Sequence, residues 1–223
     1  MLRYAGHKLF KRLLAIATPY TRRRRMRRLA LLDLRAGDRV LDLGGTCSIW
    51  QYVETPLDVT IVNLPGVDKQ VLPDSHHRFR LVVGDATDMP QYRDNQFDVV
   101  FSNSVIEHVG GEERRAAFAR EVRRLAPRYF VQTPSVWFPL EAHTGIPFWW
   151  ALPQSIRRRA IERWRAKLPA WTEMVEGTTV IARDQLQAYF PDGAIITERV
   201  MGIPKSYAAY RLGGNRAGRQ AAQ

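Results

Sequence analysis

A chain of 223 residues that is 45% hydrophobic and 25% charged has the composition of a folded domain with one sizeable core, and no apolar run approaches the roughly 20 residues that span a bilayer. Its single cysteine, Cys47, excludes an intrachain disulfide framework and a multi-cysteine zinc site, which fits a reducing compartment. The net charge of +12 is lopsided: between Met1 and Arg39 twelve Lys or Arg stand against Asp33 and Asp38, so nearly all the excess is in the first sixth of the chain.

The chain order begins with two basic helices. Leu2, Leu9, Phe10, Leu13, Ile16 and Ala17 gather on one side of a helix at about 100° per residue, opposite Arg3, His7, Lys8, Lys11 and Arg12, and Thr18-Pro19 ends it. A second helix is predicted from about Pro19 to Leu32, with Met26, Leu29, Ala30 and Leu32 inward and the arginines in water. Packing on a sheet is one fate for both; insertion of the first into a headgroup boundary is the other. Met1 to Leu32 is Arg-rich and acid-free, the make-up also of a transit peptide, whereas Leu13 to Ala17 is too short for a secretory core.

From Ala36 the rhythm is strand, then helix. Strands are predicted at Arg39 to Leu43, Asp58 to Asn63, Phe79 to Val83, Phe97 to Ser102 and Tyr129 to Thr133, with a short helix at Ser48 to Glu54 and a longer one at Glu112 to Leu125. Short runs rich in Val, Ile and Phe separated by helical patterns mean a parallel sheet buried on both faces, hence a doubly wound α/β fold. Between Pro134 and Glu176 the rhythm fails. That stretch holds five of the six tryptophans and a basic helix from Gln154 to Lys167, and is expected as an insertion, 135–176, over the carboxyl edge of the sheet. Core pattern returns in a helix from Ile181 to Phe190 and strands at Ala194 to Val200 and Ser206 to Leu212, before a glycine-rich, polar tail, 213–223, expected to be disordered.

Four successive strands end in small or polar residues at one edge. "VLDLGG" at 40–45 gives a glycine turn that lets backbone approach a ligand, followed by Thr46; the second strand ends in Asn63-Leu64-Pro65, the third in "GDATDMP" at 84–90, and the fourth delivers Ser102 and Asn103. With "RVLDLGG" at 39–45, "FDVVFSNSVIEHV" at 97–109 and "VQTP" after the Glu112 to Leu125 helix, this set resembles the class I S-adenosylmethionine-dependent methyltransferases, especially the ubiquinone-biosynthesis O-methyltransferase group. The resemblance covers roughly Arg27 to Pro134, with a weaker echo to Leu212. It implies a Rossmann-like doubly wound seven-stranded sheet whose last strand is antiparallel, in a methyltransferase domain spanning 36–212 after N-terminal helices at 1–35.

The resemblance also implies a cofactor, S-adenosylmethionine. Asp42, Gly44, Gly45 and Thr46 would line its methionine end, Asn63 and Leu64 its ribose, Asp85 and Ala86 its adenine, and Ser102 and Asn103 its amino-acid part. Two departures stand out. The loop has Gly-Gly-Thr-Cys in place of Gly-x-Gly-x-Gly, and Asn63 replaces an acid, so its bond to a ribose hydroxyl would be neutral and weaker.

Methyl transfer to a hydroxyl needs alignment and a base, for which histidine is best matched near neutral pH. His108, just past the fourth strand, and His143, opening the insertion, are the candidates; Glu107 would orient His108 or contact substrate, and Glu141 is a weaker choice. His108 capping the next helix and His143 ordering a loop are the alternatives. His76 and His77 are expected at the surface. No cluster has metal-ligand spacing, so no metal is expected.

The aromatic wall "SVWFPLEAHTGIPFWWALP" suits a quinone or phenol, a sugar face or an acyl chain, or it fills a small core of its own. With the arginines that follow, it also has the make-up of an interfacial anchor. The expected acceptor is a hydroxylated small molecule, lipid-linked or free, met at an anionic membrane surface on the cytoplasmic face. RNA methylation through the Arg22 to Arg28 run, and a catalytically silent scaffold, are the competing readings; the run lacks interleaved aromatics for stacking.

Overall fold

The computed structural model describes residues 23–66, 72, 74–139, 146 and 148–213. The amphipathic helix expected at Leu2 to Ala17, the tail beyond Gly213, Glu141 and His143 lie outside the described residues. Seven strands form one sheet: β1 (Arg39–Leu43), β2 (Asp58–Asn63), β3 (Arg78–Val83), β4 (Val99–Asn103), β5 (Arg128–Pro134), β6 (Ala194–Val200) and β7 (Ile203–Arg211), in the order β3-β2-β1-β4-β5-β7-β6. β1 to β5 are mutually parallel, and β7 runs antiparallel to both β5 and β6. The order reverses between β1 and β4, which both carry their carboxyl ends to the same edge; this is where open α/β sheets bind ligands.

Alternation along the strands divides the core between two faces. On one, Leu41, Leu43, Val100 and Val131 pack with Phe118, Val122 and Leu125 of α1 (Glu112–Leu125) and with Leu186 of α4 (Arg183–Tyr189). On the other, Val40, Val59, Ile61, Val99, Phe101 and Phe130 meet Met26, Leu29 and Leu32 of the N-terminal helix and Ile49 and Trp50 of a 3-10 turn at Cys47–Tyr52. Fully buried rings such as Phe101 and Phe118 set the scale of this packing: truncation to Ala costs about 3–5 kcal/mol. α1 starts with Glu112 and Glu113 and ends with Arg123 and Arg124, complementing its dipole at both ends.

The N-terminal segment is tied down more firmly than its sequence suggested. Arg128 at the start of β5 ion-pairs with Asp38 at 2.8 Å, and its other nitrogen donates to the carbonyls of Leu32 at 2.6 Å and Asp33 at 2.8 Å, where the helix ends. Arg25 and Arg28, expected in water, turn inward: both meet the carboxylate of Glu198 on β6, at 3.3 and 3.2 Å, and Ser206 of β7 donates to the same group. Ala30, expected inward, is exposed, because the last turn tightens to a 3-10 helix at Leu29–Leu32 and rotates it outward.

Other differences are local. The helix expected at Ser48 to Glu54 is the 3-10 turn, and β7 starts three residues early, at Ile203. β6 and β7 are joined by Met201-Gly202, both at positive φ (49° and 80°), the geometry of a two-residue hairpin turn without the Asn-Gly signature that announces one. His77 is buried, not at the surface: its ring nitrogen is 3.0 Å from the Trp50 carbonyl, and burial lowers its pKa.

Candidate active site

β1 runs into Gly44 and Gly45, and each glycine is required by what lies against it. Gly44 has φ +71°, and a methyl added there would run into Val105; one added at Gly45 would overlap the carboxylate of Asp42. Asp42 lies directly under the loop at 0% exposure, accepts from Trp50 Nε1 at 2.8 Å through Oδ2, and keeps Oδ1 without a partner among the described residues. Burial raises its pKa to about 7 despite the Trp50 bond. Thr46 is exposed beyond the glycines, with its hydroxyl 3.1 Å from that of Ser48, and Cys47 is buried in the core.

Asn63 ends β2 at 6% exposure and donates from Nδ2 to the Gly45 carbonyl at 3.1 Å. This accounts for the departure from an acid: a carboxylate has no hydrogen to give to that carbonyl. Leu64 follows, exposed. Asp85, after β3, accepts at Oδ1 from the Thr87 N–H and hydroxyl at 2.9 and 2.7 Å, and at Oδ2 from Arg114 of α1 at 2.7 Å. Its partial burial works to raise its pKa, but Arg114 and Thr87 outweigh it and hold the group ionised. Ala86 is half-buried beside it.

At the end of β4, Ser102 is buried and donates to the Leu43 carbonyl at 3.1 Å, pinning β4 to β1, while Asn103 accepts from Arg25. Ser104 takes φ 58° and donates to Gln132 of β5 at 3.0 Å. The next turn, Ile106–His108, divides the expected pair. Glu107 is sealed at 1% exposure, with Oε2 accepting from Thr133 of β5 at 3.1 Å, so it lies behind the edge. His108 is exposed, with Nδ1 3.2 Å from the Thr178 hydroxyl, and the Thr179 N–H donates to the Glu107 carbonyl at 2.8 Å. The residues that immediately follow the insertion thereby dock it to the end of β4.

Within the insertion, α2 (Gln154–Arg165) and α3 (Pro169–Gly177) pack through Trp149, Trp164 and Trp171, whose ring centroids lie 5.1 and 4.6 Å apart in succession. These three tryptophans form the insertion's own small core. Trp137 and Phe148, at 70% and 60% exposure, are left outside it.

Sequence reasoning missed Arg25, Arg114 and Thr178, which support Asn103, Asp85 and His108; no spacing rule connects Arg25 with a strand end 78 residues later. Asp42, Gly44, Gly45, Asn63, Asp85, Ser102 and Asn103 all converge on the carboxyl edge, but most of their side chains hold neighbouring backbone or one another. The chemistry present still fits S-adenosylmethionine: an ionised carboxylate after β3 to accept from an adenine amino group, a glycine loop free of side chains, and a buried carboxylate with an open oxygen for a cationic ligand.

A parallel five-strand run closed by an antiparallel β7, with a glycine turn after β1 and an acid after β3, is the arrangement of class I methyltransferases. Residues 41–128 match the family model of the methyltransferase domain. Solved structures share the fold. One is from the complex between the Trm112 methyltransferase activator of Haloferax volcanii and a methyltransferase, at 14% identity and TM-score 0.53 over 84% of this chain and 87% of that one. Another, from echinomycin biosynthesis, concerns conversion of a disulfide bond into a thioacetal group, at 18% identity and TM-score 0.51 over 86% and 83%. Phosphoethanolamine N-methyltransferase 2 of Haemonchus contortus, bound to S-adenosyl-L-methionine, matches at 13% identity and TM-score 0.51 over 81% of this chain and 50% of its own. The domain match over residues 41–128 and the shared architecture give the chain a Rossmann-like methyltransferase fold.

Proposed function

We propose that the chain methylates a hydroxyl oxygen of a small or lipid-linked acceptor, as the resemblance to the ubiquinone-biosynthesis group suggests, and does so at the cytoplasmic face of a membrane. The observation that carries the oxygen assignment is the placement of His108. Of the three described histidines it alone stands at the end of β4, exposed, and oriented by Thr178. When bound, the cofactor supplies an electrophilic methyl group on a sulfonium. The protein's part is then to align the acceptor oxygen and to take its proton, a task an imidazole performs near neutral pH. Thr178 restricts the ring's rotation, and the Glu107–Thr133 bond braces the turn that carries it.

Membrane proximity is supported by the surface of the insertion. Trp137, Phe148, Ile156 and Leu168 are all exposed there, close in sequence to Arg158, Arg159 and Arg163, the pairing of apolar and cationic groups that suits a headgroup boundary. No described helix is long and apolar enough to cross a membrane. RNA methylation is less favoured, because Arg25 and Arg28 of the basic run are engaged with Asn103 and Glu198. The test is transfer of labelled methyl from S-adenosylmethionine to a panel of phenols, catechols and amines, free and in anionic vesicles. Labelling of oxygen with vesicle stimulation supports the proposal; labelling of amines alone would overturn it.

A further inference from the structure

Between the turn at Trp149–Ala151, α2 and α3 lies a groove of about 440 Å³ whose lining includes Trp150, Arg157, Arg158, Arg165 and Thr178. Its charges are unevenly matched. Arg165 pairs with Glu176, and Arg158 lies 3.8 Å from Glu162. Arg157 has no carboxylate partner among the described residues. Its guanidinium stands over the Trp150 ring, 5.4 Å from the centroid, and its Nε is shut off from solvent without a hydrogen-bond acceptor.

Arg157 as a whole is only half-buried, and the groups that best pair with a guanidinium lacking a carboxylate partner are planar carboxylates and phosphate oxygens, which engage its edge in charge-assisted bonds. Trp150 fixes the plane of the fork, so an anion meets a preset edge. The same groove is lined by Thr178, whose hydroxyl touches His108. An anion on Arg157 would thus share the groove with the residue that touches His108.

We propose that this groove recognises an anionic group of the acceptor, a carboxylate or phosphate, with Arg157 as its specificity-determining residue. The proposal rests on the acceptor entering beside His108, as argued above. The anion belongs either to a soluble acceptor or to a lipid headgroup, and the two sources are separable.

Equilibrium binding to the full chain is measured with 4-hydroxybenzoate, phenyl phosphate and, as the neutral match, phenol; cosedimentation is measured with phosphatidylcholine vesicles with and without phosphatidylglycerol. The expected result is a preference for anion over phenol of about tenfold or more. Arg157→Leu abolishes it, Arg157→Lys keeps part of it, and Arg159→Leu, on the same helix but outside the groove lining, leaves it intact. A soluble source shows the Arg157 dependence with the small probes; a lipid source shows it only in vesicle retention. Equal binding of phenol and anions with unchanged vesicle retention in Arg157→Leu would overturn the inference. Binding of S-adenosylmethionine, measured on the same variants, keeps the outcomes distinct: its loss in the wild type would remove the methyltransferase reading itself, whereas intact cofactor binding without anion preference removes only the role of Arg157.

Discussion

The carboxyl edge of β1 to β4 and the groove of the insertion treat their polar side chains in opposite ways. At the edge, Asn63 holds the Gly45 carbonyl, Ser102 the Leu43 carbonyl, Asp85 is held by Thr87 and Arg114, and Asn103 by Arg25. In the groove, Arg157 leans on an aromatic ring with a buried nitrogen left open. The difference teaches a division of labour. On the proposed function, fixed side chains would shape a backbone cradle for the cofactor, while an unpaired guanidinium on an inserted helix would select among acceptors. Asp42 is the exception at the edge, with one oxygen bonded to Trp50 and the other open.

Breaking the cradle gives the largest effect. Gly45→Ala forces a methyl onto the Asp42 carboxylate and is expected to cost about 3 kcal/mol in urea unfolding, with cofactor binding lost; a native-like melting curve with full binding would refute the packing described for the loop. Next is His108→Gln, for which kcat falls about a hundredfold while the cofactor dissociation constant stays the same, and the acid limb of the pH-rate profile disappears. A parallel fall in cofactor affinity would place His108 in the cradle instead.

The third effect is pH-linked. Asp42 is raised from 3.8 to about 7, so between those values the folded state holds a proton the unfolded chain has released. The contribution of Asp42 therefore falls as pH rises through this window, by about 2 kcal/mol between pH ~5.5 and ~7.5, while His77, with its lowered pKa, contributes a rise with pH in the same range. Asp42→Asn keeps an acceptor for Trp50 without a charge to bury, and its unfolding free energy should lose the fall and retain only the rise from His77. Asp85, Asp192 and Glu198, with lowered pKa values, act in the opposite sense and only at more acid pH.

The smallest change is the most discriminating. If Asn63 were a weakened ribose partner, Asn63→Asp would tighten cofactor binding. Because its amide donates to the Gly45 carbonyl, the carboxylate should repel that oxygen and weaken binding about tenfold in calorimetry.

Such contrasts also mark where sequence reasoning reached and where it stopped. The strands were legible because parallel strands buried on both faces are continuous runs of Val, Ile and Phe, and their polar ends fall at one edge by topology alone. What those ends do was not legible. Whether Asn63 faces a ligand or a carbonyl depends on the path of a loop 18 residues earlier, and whether Arg25 faces water or Asn103 depends on a helix crossing the sheet. Trp149 gave equal support to a ligand wall and a local core until its stacking with Trp164, and of Trp164 with Trp171, was seen. Arg157 was one arginine among five in its neighbourhood, and only its place over Trp150 in the groove sets it apart.

The most direct test is calorimetric titration of S-adenosylmethionine into the full chain and its Gly45→Ala variant. Saturable one-site binding by the wild type, absent from a folded Gly45→Ala, is the expected result. No binding by the wild type at millimolar cofactor would contradict the assignment of this edge as a methyl-donor cradle.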